Sequence, residues 1–122
     1  MLVAKINPPA KKFIQDSPYS VKEFVGEYMI AKCTKLPIGA SSQSENDKIE
    51  FTVKFGNIKY EPNLDGTPGS PLFELVYLAN VKFKGAELAN WGTDDAFVYS
   101  ALAQKFNFQV IETFELDLPF NN

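Results

Sequence analysis

The segment KIEFTVKF (48–55) decides how the rest of the chain is read. Ile49, Phe51, Val53 and Phe55 alternate with Glu50, Thr52 and Lys54. Successive side chains of a strand point to opposite faces. A period of two therefore predicts a sheet with one face on a core and one face in water. Gly56-Asn57 then resets the phase, because Ile58 and Tyr60 continue the alternation on the opposite parity. The pair is either a tight turn of type II′ or a bulge within a longer strand, and the shortness of the apolar run after it favours the bulge.

Working outward, 72–84 is a second long strand. Phe73, Leu75, Tyr77, Ala79, Val81 and Phe83 are expected on one face, with partial burial of the other. Between the two strands, EPNLDGTPGSP (61–71) holds three Pro and two Gly and reads as a loop. Upstream, 24–36 is expected to be a strand, with Tyr28, Ile30 and Lys32 opposing Met29, Ala31 and Cys33. Gly26 marks a bulge or a close backbone approach. Residues 1–7 read as a short strand ended by Pro8-Pro9, because proline removes a ladder donor and restricts the residue before it. Residues 8–23, with a turn at Ser17-Pro18, read as an irregular arm laid on another surface. One helix is predicted at 94–105. Thr93 is its N-cap, Asp94 and Asp95 sit in its first turn and Lys105 near its end, each where the helix dipole favours that charge. In the closing segment, 106–118, Phe106, Phe108, Val110, Phe114 and Leu116 share parity and predict a last strand before Pro119.

The expected fold is thus a single α+β domain, mainly β. It is an antiparallel sandwich or a partly open barrel with one helix in the C-terminal half, since strands here do not alternate with helices. Its 122 residues, 45% of them hydrophobic, suffice for one core.

Composition limits function. The chain has no His and a single Cys, Cys33, so most nucleophilic and metal-binding constellations cannot be assembled. No cofactor or metal is implied. The net charge of −3, with Lys as the sole basic residue type, argues against a nucleic-acid binder. The apolar runs are too short to span a bilayer, and MLVAKINPP lacks the apolar stretch of a secretory signal, so a cytoplasmic site of synthesis is expected. Lys5, Lys11 and Lys12 make the N-terminal part basic, and Glu112, Glu115 and Asp117 make the C-terminal part acidic. Both are solvated surface or complementary contacts in an assembly.

Individual residues divide between bland and sharp readings. Thr93-Asp94-Asp95 is a cap or a cation site. The GTDD tetrad resembles the GTD that opens an annexin repeat helix, but nothing else of that repeat is present. Asp47, Glu50, Glu61 and Asp65 are solvated charge or a carboxylate pair, and Cys33 is a small buried hydrophobe or a nucleophile without a visible base. Tyr19, Tyr28, Tyr60 and Tyr77 with Phe51 and Phe55 are core and surface aromatics, or stacking platforms on an OB-like barrel for single-stranded nucleic acid. Trp91 is a core anchor or an interface hot spot. Phe13, Ile14, Tyr19, Trp91 and Phe120 are the expected contacts to other protein subunits or to copies of the chain itself.

The segment LANWGTDDAFVYSALAQKFNFQV (88–110), following a β-rich front half, is similar to the C-terminal part of some small structural proteins of tailed bacteriophages. Those chains also place a W-G-T-D-D helix start late and finish on a strand. The resemblance covers about a fifth of the chain. It implies a non-enzymatic virion component, made in the host cytoplasm: a capsid auxiliary protein or a neck or tail subunit. On this reading, deleting residues 1–20 leaves a folded domain that no longer assembles.

Phe51 is expected in the core. Phe51→Ala should therefore lower unfolding stability by about 3–5 kcal/mol, read as a shift of the denaturation midpoint. An unshifted midpoint would refute the strand assignment.

Overall fold

The computed structural model describes residues 1–35, 48–84 and 95–118. Five strands and one helix follow in the order β1 (Leu2–Ser17), β2 (Ser20–Lys35), β3 (Lys48–Pro62), β4 (Pro68–Lys84), α1 (Asp95–Lys105) and β5 (Gln109–Glu115). The strands form one antiparallel sheet in the order β4-β3-β2-β1-β5, open at both edges, with α1 on one face. The expected mainly-β α+β class with a single helix holds.

The 48–55 alternation does what its period dictates. Ile49, Phe51, Val53 and Phe55 are all buried beneath Val98, Tyr99, Leu102 and Ala103 of the helix. Phe55 is the aromatic hub. Phe106 and Phe108 meet it edge-on at 5.0 and 5.4 Å, and Tyr77 stacks on it at 6.1 Å. Burying such a side chain stabilises by about 1.5–3 kcal/mol, and each good ring pair adds about 0.5–1.5 kcal/mol. The helix ends on Asn107, whose φ of 63° is the left-handed conformation Asn tolerates. Phe108 N–H closes back on the Ala103 carbonyl at 2.9 Å.

The opposite face is not fully wet. Val3, Ile30 and Leu118 are buried there, with Tyr28, Ile58, Phe73, Phe114 and Leu116 packed around them. Tyr28 and Phe114 meet edge-on at 6.0 Å. Lys54, paired across the ladder with Ile30, is only 5% exposed, and burial lowers its ammonium pKa.

Two expectations about faces are corrected, both by bulges. β3 runs unbroken through Gly56-Asn57, so the pair is no turn, and the register irregularity there places an extra residue on β4. Phe55 faces Tyr77, whereas Gly56 faces Leu75. Below this point the parity of β4 inverts. Phe73 joins the far face with Ile58, and Leu75, expected in the core, is 42% exposed. Tyr77 keeps the expected face, where it stacks on Phe55, but on the edge strand it stays 44% exposed. In β5, Ile111 is the extra residue between the Lys5–Glu112 and Ile6–Val110 pairs. Val110 therefore packs on the helix side and Phe114 on the other, despite their shared parity. The last strand is also shorter than 106–118, since Phe106 and Phe108 lie in the turn that leaves the helix.

The N-terminal arm is likewise corrected. β1 does not stop at Pro8-Pro9 but continues to Ser17. The prolines fall where the register with β2 jumps from Lys5 to Ala10, a stretch in which β2 asks for no N–H donor. Val3, Ala4 and Ile6 are buried between β2 and β5. Removing residues 1–20 would therefore take out a central strand, and an unfolded product is the expected outcome.

Where β1 and β2 part at the helix end of the sheet, a side chain replaces the ladder. The Tyr99 hydroxyl donates to the Leu2 carbonyl at 2.6 Å and accepts from Ala31 N–H at 3.0 Å. Burial pushes its phenol pKa up to about 12. A raised phenol pKa means the native state holds its proton longer than the unfolded chain does. Its contribution to stability is whole below the unfolded value near 10 and falls as pH climbs toward 12. Tyr99→Phe should cost about 1–3 kcal/mol at neutral pH, by leaving both backbone groups unpaired, and should flatten the stability loss above pH 10. Chemical denaturation across that pH range checks both effects.

Candidate functional site

The feature that departs most from a packed domain lies at the end of the sheet away from the β2–β3 connection. β2 and β3 pair from Lys35–Glu50 down to Tyr28–Gly56 and then separate. At this fork the backbones nearly touch. A Cβ on Gly26 would sit 2.8 Å from Gly56 N, and one on Gly56 would collide with the Glu74 carbonyl. Only glycine fits either position, which bears out the close approach expected at Gly26. Just beyond, the Asn57 carboxamide spans the gap. Its oxygen accepts from Glu27 N–H at 3.3 Å, and its nitrogen donates to the Val25 carbonyl at 2.7 Å.

Past the fork, β1 and β2 continue as a two-stranded ribbon with no further strand beside them among the described residues, from the Lys11–Val25 pair to the Ser17–Ser20 turn. Seven residues at the rise of a strand carry it about 23 Å. Its register puts Lys11, Phe13, Gln15, Val21, Glu23 and Val25 on one side, and Lys12, Ile14, Lys22 and Phe24 on the other. Phe13 is 63% exposed, Ile14 45% and Tyr19, at the tip, 98%. Val21, Phe24 and Val25 are exposed as well. Lys11 and Glu23 form an ion pair at 3.2 Å that, being exposed, contributes little. A lone two-stranded ribbon is marginal in water. This one shows apolar side chains on both sides.

The β3–β4 hairpin projects in the same direction. Its turn is closed by Asn63 and Thr67, and Asp65 accepts from both the amide and the hydroxyl of Thr67. Those bonds hold the Asp65 carboxyl below its usual range. Glu61 and Asp65 are exposed here, and Glu50 pairs with Lys82 at 3.4 Å farther up the sheet, so these carboxylates do not converge. Among the described residues no cluster of His, Cys, Asp and Glu could hold a metal ion.

The remaining sequence-derived candidates are distributed. Phe13, Ile14 and Tyr19 come together on the ribbon. Trp91, Thr93, Asp94, Phe120 and Asp47 lie outside the described residues. Asp95 opens the helix, as its N-terminal charge predicted. Cys33 is half-buried, lining a recess of about 280 Å³ with Phe51, Val98 and Tyr99. The aromatic set proposed for stacking is divided, because Phe51 and Phe55 are covered by the helix and Tyr28 lies on the opposite face from Tyr77. A cleft of about 580 Å³ runs between the helix and β4, where the Lys105 ammonium sits 4.9 Å from the centre of the Phe83 ring. Sequence reasoning missed Val21, Lys22, Phe24 and Asn57 as parts of the ribbon and its hinge. VKEF (21–24), with its two polar residues adjacent, has no period of two, so alternation gave no signal there.

No protein-family model, curated protein or solved structure matches this chain.

Asn57 pins the root of the ribbon by exposed bonds. Asn57→Ala should lower global stability by no more than about 1.5 kcal/mol, while Glu27 N–H exchanges markedly faster. Hydrogen exchange resolved by residue distinguishes this local opening from general destabilisation.

Proposed function

We propose that the chain is a non-enzymatic structural subunit of a larger assembly, a component of a tailed-phage virion such as a capsid auxiliary, neck or tail protein. The observation that carries the reading is the ribbon. Phe13, Ile14, Tyr19, Val21 and Phe24 are exposed to water on a two-stranded element with no layer beneath it among the described residues. A partner surface would supply the missing layer, and the conformational freedom lost on docking would be offset by apolar burial. The phage-like segment at 88–110 gives the kind of assembly, and the absence of His from the chain agrees with a role that needs no acid–base chemistry.

Because Lys11 and Val25 face each other, the ribbon can be shortened without touching the sheet. Removing residues 12–24 and joining Lys11 to Val25 by an Asn-Gly turn should leave the circular dichroism spectrum β-rich and cooperative unfolding intact. Incorporation into particles, measured by mass spectrometry of purified virions, should be lost. Normal occupancy of the shortened chain would overturn the reading.

A further inference from the structure

We propose that two copies of this chain join along the β1/β5 side of the sheet, each copy's β5 filling the open place beside the other's ribbon. The proposal deepens the subunit reading above and rests on it for its biological setting. The observation behind it is a step in the sheet edge. β5 pairs with β1 only from Leu2 to Asn7. Beyond Asn7 the outer edge of β1 has no neighbouring strand among the described residues, and every residue from Lys11 to Ser17 is exposed. Among the described residues, β5 itself has no neighbour on its outer edge over Gln109–Glu115, and Ile111 is 57% exposed. One side of the sheet thus has a protruding half and a recessed half.

The two halves match in length. The recess beside Ala10–Ser17 is one strand wide and eight residues long, and β5 is seven residues long. A two-fold rotation about an axis normal to the sheet sets the protruding half of one copy into the recessed half of the other. Both contacts form at once, as an isologous interface requires. β5 then runs parallel to the ribbon strand of the partner subunit, with backbone groups paired on both sides.

Charge agrees with this match. β5 and the residues after it carry Glu112, Glu115 and Asp117 and no Lys. The ribbon carries Lys11, Lys12 and Lys22 against Asp16 and Glu23. The joint brings Glu112 toward the Lys11-Lys12 end of the partner subunit's ribbon, while Glu115, which pairs with the N-terminal ammonium of its own chain, comes beside the Asp16 end. It also covers Ile111 and narrows the exposure of Phe13 and Ile14. The other edge of the sheet offers no such fit. β4 has no step, and it carries Pro68, Pro71 and the bulge near Leu75, features that discourage edge pairing.

Sedimentation velocity on the full chain, from micromolar to millimolar protein, tests the joint. A dimer that weakens with salt is expected. Lys12→Glu, on the exposed ribbon, should raise the dimer dissociation constant by at least about tenfold, and Glu112→Lys in the same chain should restore it. A chain with Phe13→Cys, Ile111→Cys and Cys33→Ser should cross-link between copies with a short bis-maleimide, because the two positions lie roughly 20 Å apart within one chain. A chain that stays monomeric throughout overturns the joint. So does a dimer indifferent to Lys12→Glu that gives no cross-link. A monomer still incorporated into particles overturns the joint and leaves the subunit reading standing. A cross-linked dimer absent from particles supports the joint and overturns that reading.

Discussion

The approach of Gly26 to Gly56 is the contact on which the architecture turns. Above it, four long strands and β5 form one sheet with a helix on one face. Below it, β2 and β3 have no shared ladder, and the sheet divides into two hairpins. A side chain at either glycine would need to occupy space held by backbone, which cannot yield as a flexible side chain can. Asn57 follows the contact and satisfies the first backbone groups that the division exposes. Tyr99 does the same at the other end, where β1 and β2 part. The sheet is thus sealed at two points by side-chain groups standing in for peptide groups.

A second consequence follows from the bulges. A strand with unbroken alternation can serve one core. The extra residue near Leu75 and the one at Ile111 each switch parity, so β4 and β5 contribute to apolar clusters on both faces. The helix covers one cluster. Phe114, Leu116 and Leu118, from the chain end, cover part of the other.

Strict alternation made 48–55 and the core residues Phe51, Val53 and Phe55 legible in the sequence. The helix was legible from its charge placement, with Leu102 at the buried position. What alternation cannot show is a change of parity, because a bulge depends on the partner strand as much as on its own residues. Leu75 was misplaced for that reason, whereas Tyr77 has the expected face and is exposed because β4 is an edge strand. The arm was misread for a different one. Pro8-Pro9 breaks a strand only if a neighbour needs their N–H groups, and here the register with β2 skips them. KKFIQDS (11–17) has no alternation because neither side of the ribbon faces a core. The same property that hid the strand exposes Phe13, Ile14 and Tyr19, which were named as contacts on composition alone.

The position of β1 between β2 and β5 has a consequence for the order in which the chain can fold. Leu2 pairs with Glu115, so the inner part of the first strand waits for the last one. During synthesis, the β1–β4 segment is complete before its helix and final strand leave the ribosome. That intermediate shows a bare apolar face and an unpaired central edge, the two surfaces most prone to aggregate. Pairings that span nearly the whole chain also form slowly. Yield in a recombinant host should therefore depend on how soon the helix and β5 follow β4 in translation, and on chaperones that shield the early sheet until they arrive.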